Sequence, residues 1–148
     1  MKLSKKARIG IMALIYIEAH KAEGHVALAT IAEKANVSQQ YLEQTITGLR
    51  RADIVTGIKG AQGGYELNRD AKDITVADII KAIEGDYHLD AEKAPKGSVV
   101  PEIADVVQES VIEKANKSLD EAFEGVTLEE LVNDYKKRSL AIEPMYYI

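Results

Sequence analysis

Seven side chains able to exchange hydrogen bonds or charge with a polar surface fall on one face of a single predicted helix: Gln39, Gln40, Glu43, Gln44, Thr47, Arg50 and Arg51. Their types suit the base edges and phosphates of double-stranded DNA. Gln pairs with adenine, Arg with guanine or phosphate, and Glu accepts from cytosine. The N-terminal end of a recognition helix enters the major groove first. That sets Ser38, Gln39, Gln40, Glu43 and Gln44 nearest the bases and leaves Arg50 and Arg51, two turns later, for phosphates. Taken alone, such a face is equally that of a solvated helix. A glycine-rich turn downstream shifts the balance. Gly60, Gly63 and Gly64 allow the chain to double back tightly and approach a duplex closely, and Lys59 stands at the base of that turn. Lys5, Lys6 and Arg8 add positive charge at the start of the chain's first helix, suited to phosphate contacts.

These residues need a scaffold, and the pattern supplies one. A first helix is expected from about Lys5 to Glu23, capped by Ser4, ended by Gly24 and apolar nearly all round between Ile9 and Ile17. A second spans about Leu28 to Ala35. Asn36 and Val37 turn the chain, and Ser38 caps a third helix ending near Asp53, with Leu42, Ile46 and Leu49 facing inward. Two strands, Val55 to Lys59 and Tyr65 to Asn68, form a hairpin. Thr75 and Asp78 make a capping box for a fourth helix closed by Gly85. Residues 86–100 read as a polar loop. Pro101 opens a long helix to about Phe123, and Thr127 with Glu130 opens another to about Lys137. The fold class is mainly α with a small β-hairpin wing: a winged helix-turn-helix over residues 1–85, a loop over 86–100, long C-terminal dimerisation helices over 101–138 and a tail over 139–148.

Charge separates along the same line. The formal net charge is −5, but residues 1–69 carry +4 and residues 70–148 carry −9. A basic first half suits nucleic acid and an acidic second half suits another partner. The chain has no Cys, which removes disulfides, thiolate metal sites and Cys nucleophiles together. No cofactor and no metal site are expected, and no catalytic set or phosphate loop is visible. No apolar run approaches the ~20 residues of a membrane span, so no membrane association is expected and the cytoplasm is the default location.

The segment from Ser38 through Tyr41, Leu42, Glu43 and Gln44 to Leu49-Arg50 resembles the recognition helix of the Rrf2 family of bacterial regulators, whose pattern is Ser-x-x-Tyr-Leu-Glu-Gln followed by Leu-Arg. Lys59-Gly-Ala-Gln-Gly-Gly-Tyr65-x-Leu67 is similar to that family's wing, and Ile74 to Gly85 to its next helix. The resemblance implies a dimeric DNA-binding repressor that meets a palindromic operator, with Tyr41 among the recognition-helix residues. Three departures stand out. Lys59 replaces a wing Arg, losing the planar fork. Asp53 stands where the family usually has Gly, at a position that favours a left-handed backbone. Many members hold an iron–sulfur cluster through Cys in the loop matching 86–100; here that loop offers only His88.

In the acidic half, Ala104, Val107, Val111, Ala115, Leu119 and Ala122 step by three and four, giving one apolar stripe. It could pack on the chain's own core; family members pair through this helix, so Val107, Val111, Ala115, Leu119 and Ala122 are expected to dimerise. The end, Ile142-Glu-Pro-Met-Tyr-Tyr147-Ile148, is apolar. It is similar to the ends of the family's cysteine-free repressors of cysteine metabolism, which partner O-acetylserine sulfhydrylase; Tyr147 and Ile148 are the implied contacts. Two other readings stay open: a winged helix that binds protein rather than DNA, and a regulator of another regulon with a small-molecule signal.

Overall fold

The structure is a computed structural model that describes residues 3–146. Helix α1 runs Lys5–Ala19 and begins where expected, because the Ser4 hydroxyl accepts from the Ala7 N–H at 3.0 Å. Ala7, Ala13, Leu14 and Ile17 are buried along it while Met12 reaches solvent. The helix stops four residues short of Glu23. His20 stacks on Tyr16 and ends it, and Lys21–Glu23 continue as a single 3-10 turn.

Helix α2, Leu28–Ala35, is closed by Asn36 in the left-handed conformation, which turns the chain into α3, Gln39–Arg51. Strands β1, Val55–Ile58, and β2, Gly64–Leu67, pair antiparallel with Val55 opposite Leu67 and Ile58 opposite Gly64. A bridge between Val26 and Tyr65 adds a rung that the sequence pattern does not announce. After a 3-10 turn at Ala71–Asp73 comes α4, Val76–Glu84. Its capping box has both halves: the Asp78 N–H donates to Thr75 Oγ1 at 3.1 Å, and the Thr75 N–H to Asp78 Oδ2 at 2.9 Å.

Beyond the loop the chain departs from expectation in two places. Helix α5, Pro101–Val107, passes into a π turn, Gln108–Glu113, before α6, Lys114–Glu124. Helix α7 spans Leu128–Tyr146, well beyond the expected end near Lys137. Much of the stretch expected as a tail is thus helical.

The core gathers α1, α3, α4 and the base of the hairpin, and it is completed from afar. Leu128 is fully buried and Val132 nearly so in the same cluster as Leu14, Leu42 and Ile79. The Leu128 N–H donates to Ile74 O at 2.8 Å, and the Val76 N–H to Val126 O at 2.9 Å. A boundary drawn at residue 85 therefore leaves out side chains that close the winged-helix core. Among the described residues no helix is long and apolar enough to cross a membrane.

Asp53, which leads out of α3, holds φ at 56°. A side chain in that conformation costs about 1–2 kcal/mol relative to glycine, part of which glycine returns through its freer unfolded chain. Asp53→Gly is expected to raise the thermal midpoint by roughly 2–3 °C, whereas Asp53→Ala should give no gain. A midpoint that stays unchanged or falls in Asp53→Gly refutes the strain.

Candidate nucleic-acid interface

Helix α3 is held by its inner face. Leu42, Ile46 and Leu49 are fully buried, as is Thr45, whose hydroxyl donates to Tyr41 O at 3.2 Å. Burying three such side chains stabilises the placement by several kcal/mol, at about 1.5–3 kcal/mol each. The opposite face is thereby fixed outward: Ser38, Gln39, Gln40, Glu43, Gln44, Thr47, Arg50 and Arg51 are all exposed. The Ser38 hydroxyl accepts from the Tyr41 N–H at 3.1 Å, so the first turn, where the glutamines cluster, is capped and ordered. Thr47 donates its hydroxyl proton to Glu43 O at 2.8 Å, leaving it an acceptor for anything that approaches.

The wing meets the far end of this helix. An open cleft of about 540 Å³ is lined by Arg50, Lys59, Gly63, Gly64 and Asn68, with Asp53 at its edge. Two cations from different elements thus face one concavity, and among the described residues neither is in an ion pair. Gly60, at φ 113°, starts the tip and is joined by the Gly63 N–H donating to Gly60 O at 3.0 Å. Gly64 is required by close approach: a Cβ there would lie 2.4 Å from Val26 O, a backbone atom that cannot swing away. The bridge between Val26 and Tyr65 accounts for that contact and seats the wing against the turn before α2.

The α1 cations divide. Lys5 Nζ lies 5.8 Å from the centre of the Tyr41 ring, joining the start of α1 to the start of α3 in a cation–π contact. Tyr41 is half-buried, so its ring serves this junction more than the exposed face. Lys6 is half-buried as well. Arg8 is exposed but lines, with Lys34, an apolar cavity of about 460 Å³ that also includes Ile11, Met12, Ile15 and Tyr135, away from the face of α3. Asn68 was not anticipated. It donates to Asp53 O at 3.4 Å and borders the cleft, a position set by hairpin register that no local motif signals.

The expected single stripe in the acidic half is divided. Ile103, Val106, Val107 and Val111 are exposed, as is Ala122, while Ala115 and Leu119 are half-buried. Leu119 packs with Phe123 toward Ile80 of α4 and Tyr87, against the chain's own domain. The π turn explains the split, since its wider turn rotates α6 relative to the continuation of an unbroken α-helix. Tyr147 and Ile148 lie outside the described residues.

A family model described as Rrf2, iron-dependent transcriptional regulator, matches residues 3–134. The chain is 38% identical to the HTH-type transcriptional regulator CymR of Bacillus subtilis over 113 residues, covering 74% of this chain and 82% of that protein. It is 40% identical over 93 residues to the regulator IscR of Photobacterium profundum, covering 63% of this chain and 53% of that protein, so it spans about half of that relative's length. The structure of CymR, the global cysteine regulator of B. subtilis, matches with a TM-score of 0.74 at 32% identity, over 90% of this chain and 97% of that one.

The iron in the family's description does not find its ligands here. The chain has no thiolate to offer, and both ring nitrogens of His88, the lone soft donor of the 86–100 loop, are spent on Asp86 and Asp120. Among the described residues no group of three or more His, Asp or Glu is arranged to hold a metal. The donor set does not fit a cluster held by cysteines. With the family model matching from residue 3 to residue 134, the chain belongs to the Rrf2 family of transcriptional regulators.

Proposed function

We propose that this protein is a homodimeric DNA-binding repressor working in the cytoplasm, with α3 in the major groove and the wing along the adjacent backbone. The observation that carries this is the pairing of the exposed Gln- and Arg-bearing face of α3 with Arg50 and Lys59 around one cleft. Gln39, Gln40, Glu43 and Gln44 would read base edges, while Arg50, Arg51 and Lys59 would hold phosphates and fix the register. Two-fold symmetry would set two such helices roughly 34 Å apart on a palindromic operator. Occupying that site excludes other proteins from the same DNA.

Gln44→Ala is expected to weaken operator binding by roughly 1–3 kcal/mol while leaving random DNA nearly unaffected. Arg50→Ala should weaken both and flatten the salt dependence by about one phosphate. Equal losses on both DNAs for Gln44→Ala would remove it from base reading. A folded dimer with no affinity for any DNA at low salt would favour a protein-binding winged helix instead.

Pairing is assigned to the outward residues Ile103, Val106, Val107 and Val111, which leave a large apolar face in water. Val111→Glu places an unpaired charge in that face and should yield monomers in light scattering, with unchanged circular dichroism and collapsed operator affinity. A Val111→Glu protein that stays dimeric overturns the assignment. Leu119→Glu is a poorer probe because Leu119 packs on its own domain.

The finer reading, a repressor of sulfur or cysteine metabolism, is supported by the 38% identity to CymR. It brings with it O-acetylserine sulfhydrylase as a partner, with Tyr147 and Ile148 as the proposed contacts. Calorimetry should then show binding by the full chain and none after deletion of Ile148. Equal affinities would exclude this docking mode.

A further inference from the structure

Where α4 ends, the chain does not swing free into the loop. Residues 87–89 fold back onto α6 and are gripped by three side chains one turn apart on that helix. Asn116 makes a two-way bond with Leu89: the Leu89 N–H donates to its Oδ1 at 2.7 Å, and its Nδ2 donates to Leu89 O at 3.0 Å. Asp120 Oδ1 accepts from the Tyr87 hydroxyl at 2.6 Å and lies 2.7 Å from His88 Nε2. Phe123 meets the Tyr87 ring edge-on, with centroids 5.0 Å apart.

The centre of this arrangement is a histidine between two carboxylates. His88 Nδ1 lies 2.6 Å from Asp86 Oδ1, and Nε2 lies 2.7 Å from Asp120 Oδ1. Ionised carboxylates only accept, so the Nε2 contact is a hydrogen bond only when Nε2 carries its proton, and the close approach of Asp86 to Nδ1 is an attraction rather than a repulsion only when Nδ1 carries one as well. A neutral imidazole has one N–H and would turn a lone pair toward the other carboxylate. The remaining charges facing the ring keep this balance negative. Lys81 of α4 sits 5.3 Å from the centre of the Tyr87 ring and 3.9 Å from Glu124 of α6, so a single ammonium stands against Asp86, Asp120 and Glu124. The side chain of His88 is 29% exposed, which leaves it open to exchange protons with solvent.

We propose that Asp86, His88 and Asp120 form a proton-operated clasp that fastens the winged-helix domain to the long helix when His88 is charged and loosens it when His88 is neutral. The hydrogen bond to Asp120 raises the His88 pKa above its ordinary value, with the charges of Asp120 and Asp86 adding to it, while partial burial opposes them. Asp120 is lowered by the bonds from Tyr87 and His88, and Asp86 by the bond from the His88 backbone N–H. A raised folded-state value gives a contribution that is complete below the unfolded histidine's pKa of about 6.5 and is lost as pH rises through the folded value. The clasp is thus closed in mild acid and opens toward the alkaline side.

The test is NMR on the full-length protein from about pH 5.5 to about pH 9. His88 is expected to titrate above about 6.5 with both nitrogens protonated below its midpoint. The Leu89 amide, held by Asn116, should exchange with solvent at least about tenfold faster above that midpoint, after correction for intrinsic base catalysis. His88→Gln should abolish the pH step, and Asp120→Asn should move the midpoint down toward about 6.5. A His88 midpoint at or below the ordinary value, or Leu89 exchange that stays level across it, overturns the clasp. The wild-type titration decides the matter alone if either variant fails to fold.

Discussion

Burial of Leu42, Ile46 and Leu49 at zero exposure does two jobs for one stretch of chain. It pins α3 to the domain, and by the 3.6-residue period it turns Gln40, Glu43, Gln44 and Thr47 outward as a set. Interior packing at native density leaves such a helix little freedom to rotate. The position of every exposed side chain on it is therefore a consequence of apolar contacts on the other side. The wing depends on the same anchor, because Ile54 and Val55, which lead the chain from α3 into β1, are buried in that cluster too. Arg50 and Lys59 come to one cleft only because both ends of this connection are held.

Residues that act locally were legible from the sequence. Ser4, Ser38 and Thr75 cap helices because a side-chain oxygen three residues before a bare N–H is a property of the sequence itself. The apolar pattern of α3 and the glycine turn of the wing are equally local. Asp53 was legible in another way, as a residue out of place at a left-handed position, and its φ of 56° agrees. The features that escaped depend on contacts between distant segments. The bridge from Val26 to Tyr65, the cleft position of Asn68 and the bonds from Asn116 to Leu89 join residues with no periodic relation. The π turn also left no mark, since one wide turn alters the phase of an apolar stripe without altering its composition. Leu119, expected to face a partner, is half-buried beside Tyr87 and Phe123 of its own chain. Helix α7, expected to end near Lys137, runs on to Tyr146.

The electrostatic halves now have addresses. The basic segment surrounds α1, α3 and the wing, while the acidic residues are spread from the segment before α4 through the loop and α5 and α6 to α7. Repulsion between that acidic half and a phosphate backbone would orient the molecule during its approach to DNA, through the summed field rather than any single contact. The same separation bears on salt: the attraction at one end and the repulsion at the other are both screened over about 10 Å at roughly 0.1 M ionic strength.

The burial of Leu128 and Val132 in the winged-helix core has a consequence for the order in which the molecule comes into being. Domains usually fold as units during synthesis, beginning from the N-terminus. Here the first eighty-five residues lack Leu128 and Val132, which complete their core, and Ile74 O and the Val76 N–H find their partners at Leu128 and Val126. The outward face of α3 therefore rests on a core that is complete only with the start of α7 in place. Synthesis of the acidic half thus supplies part of the core on which the basic half is built.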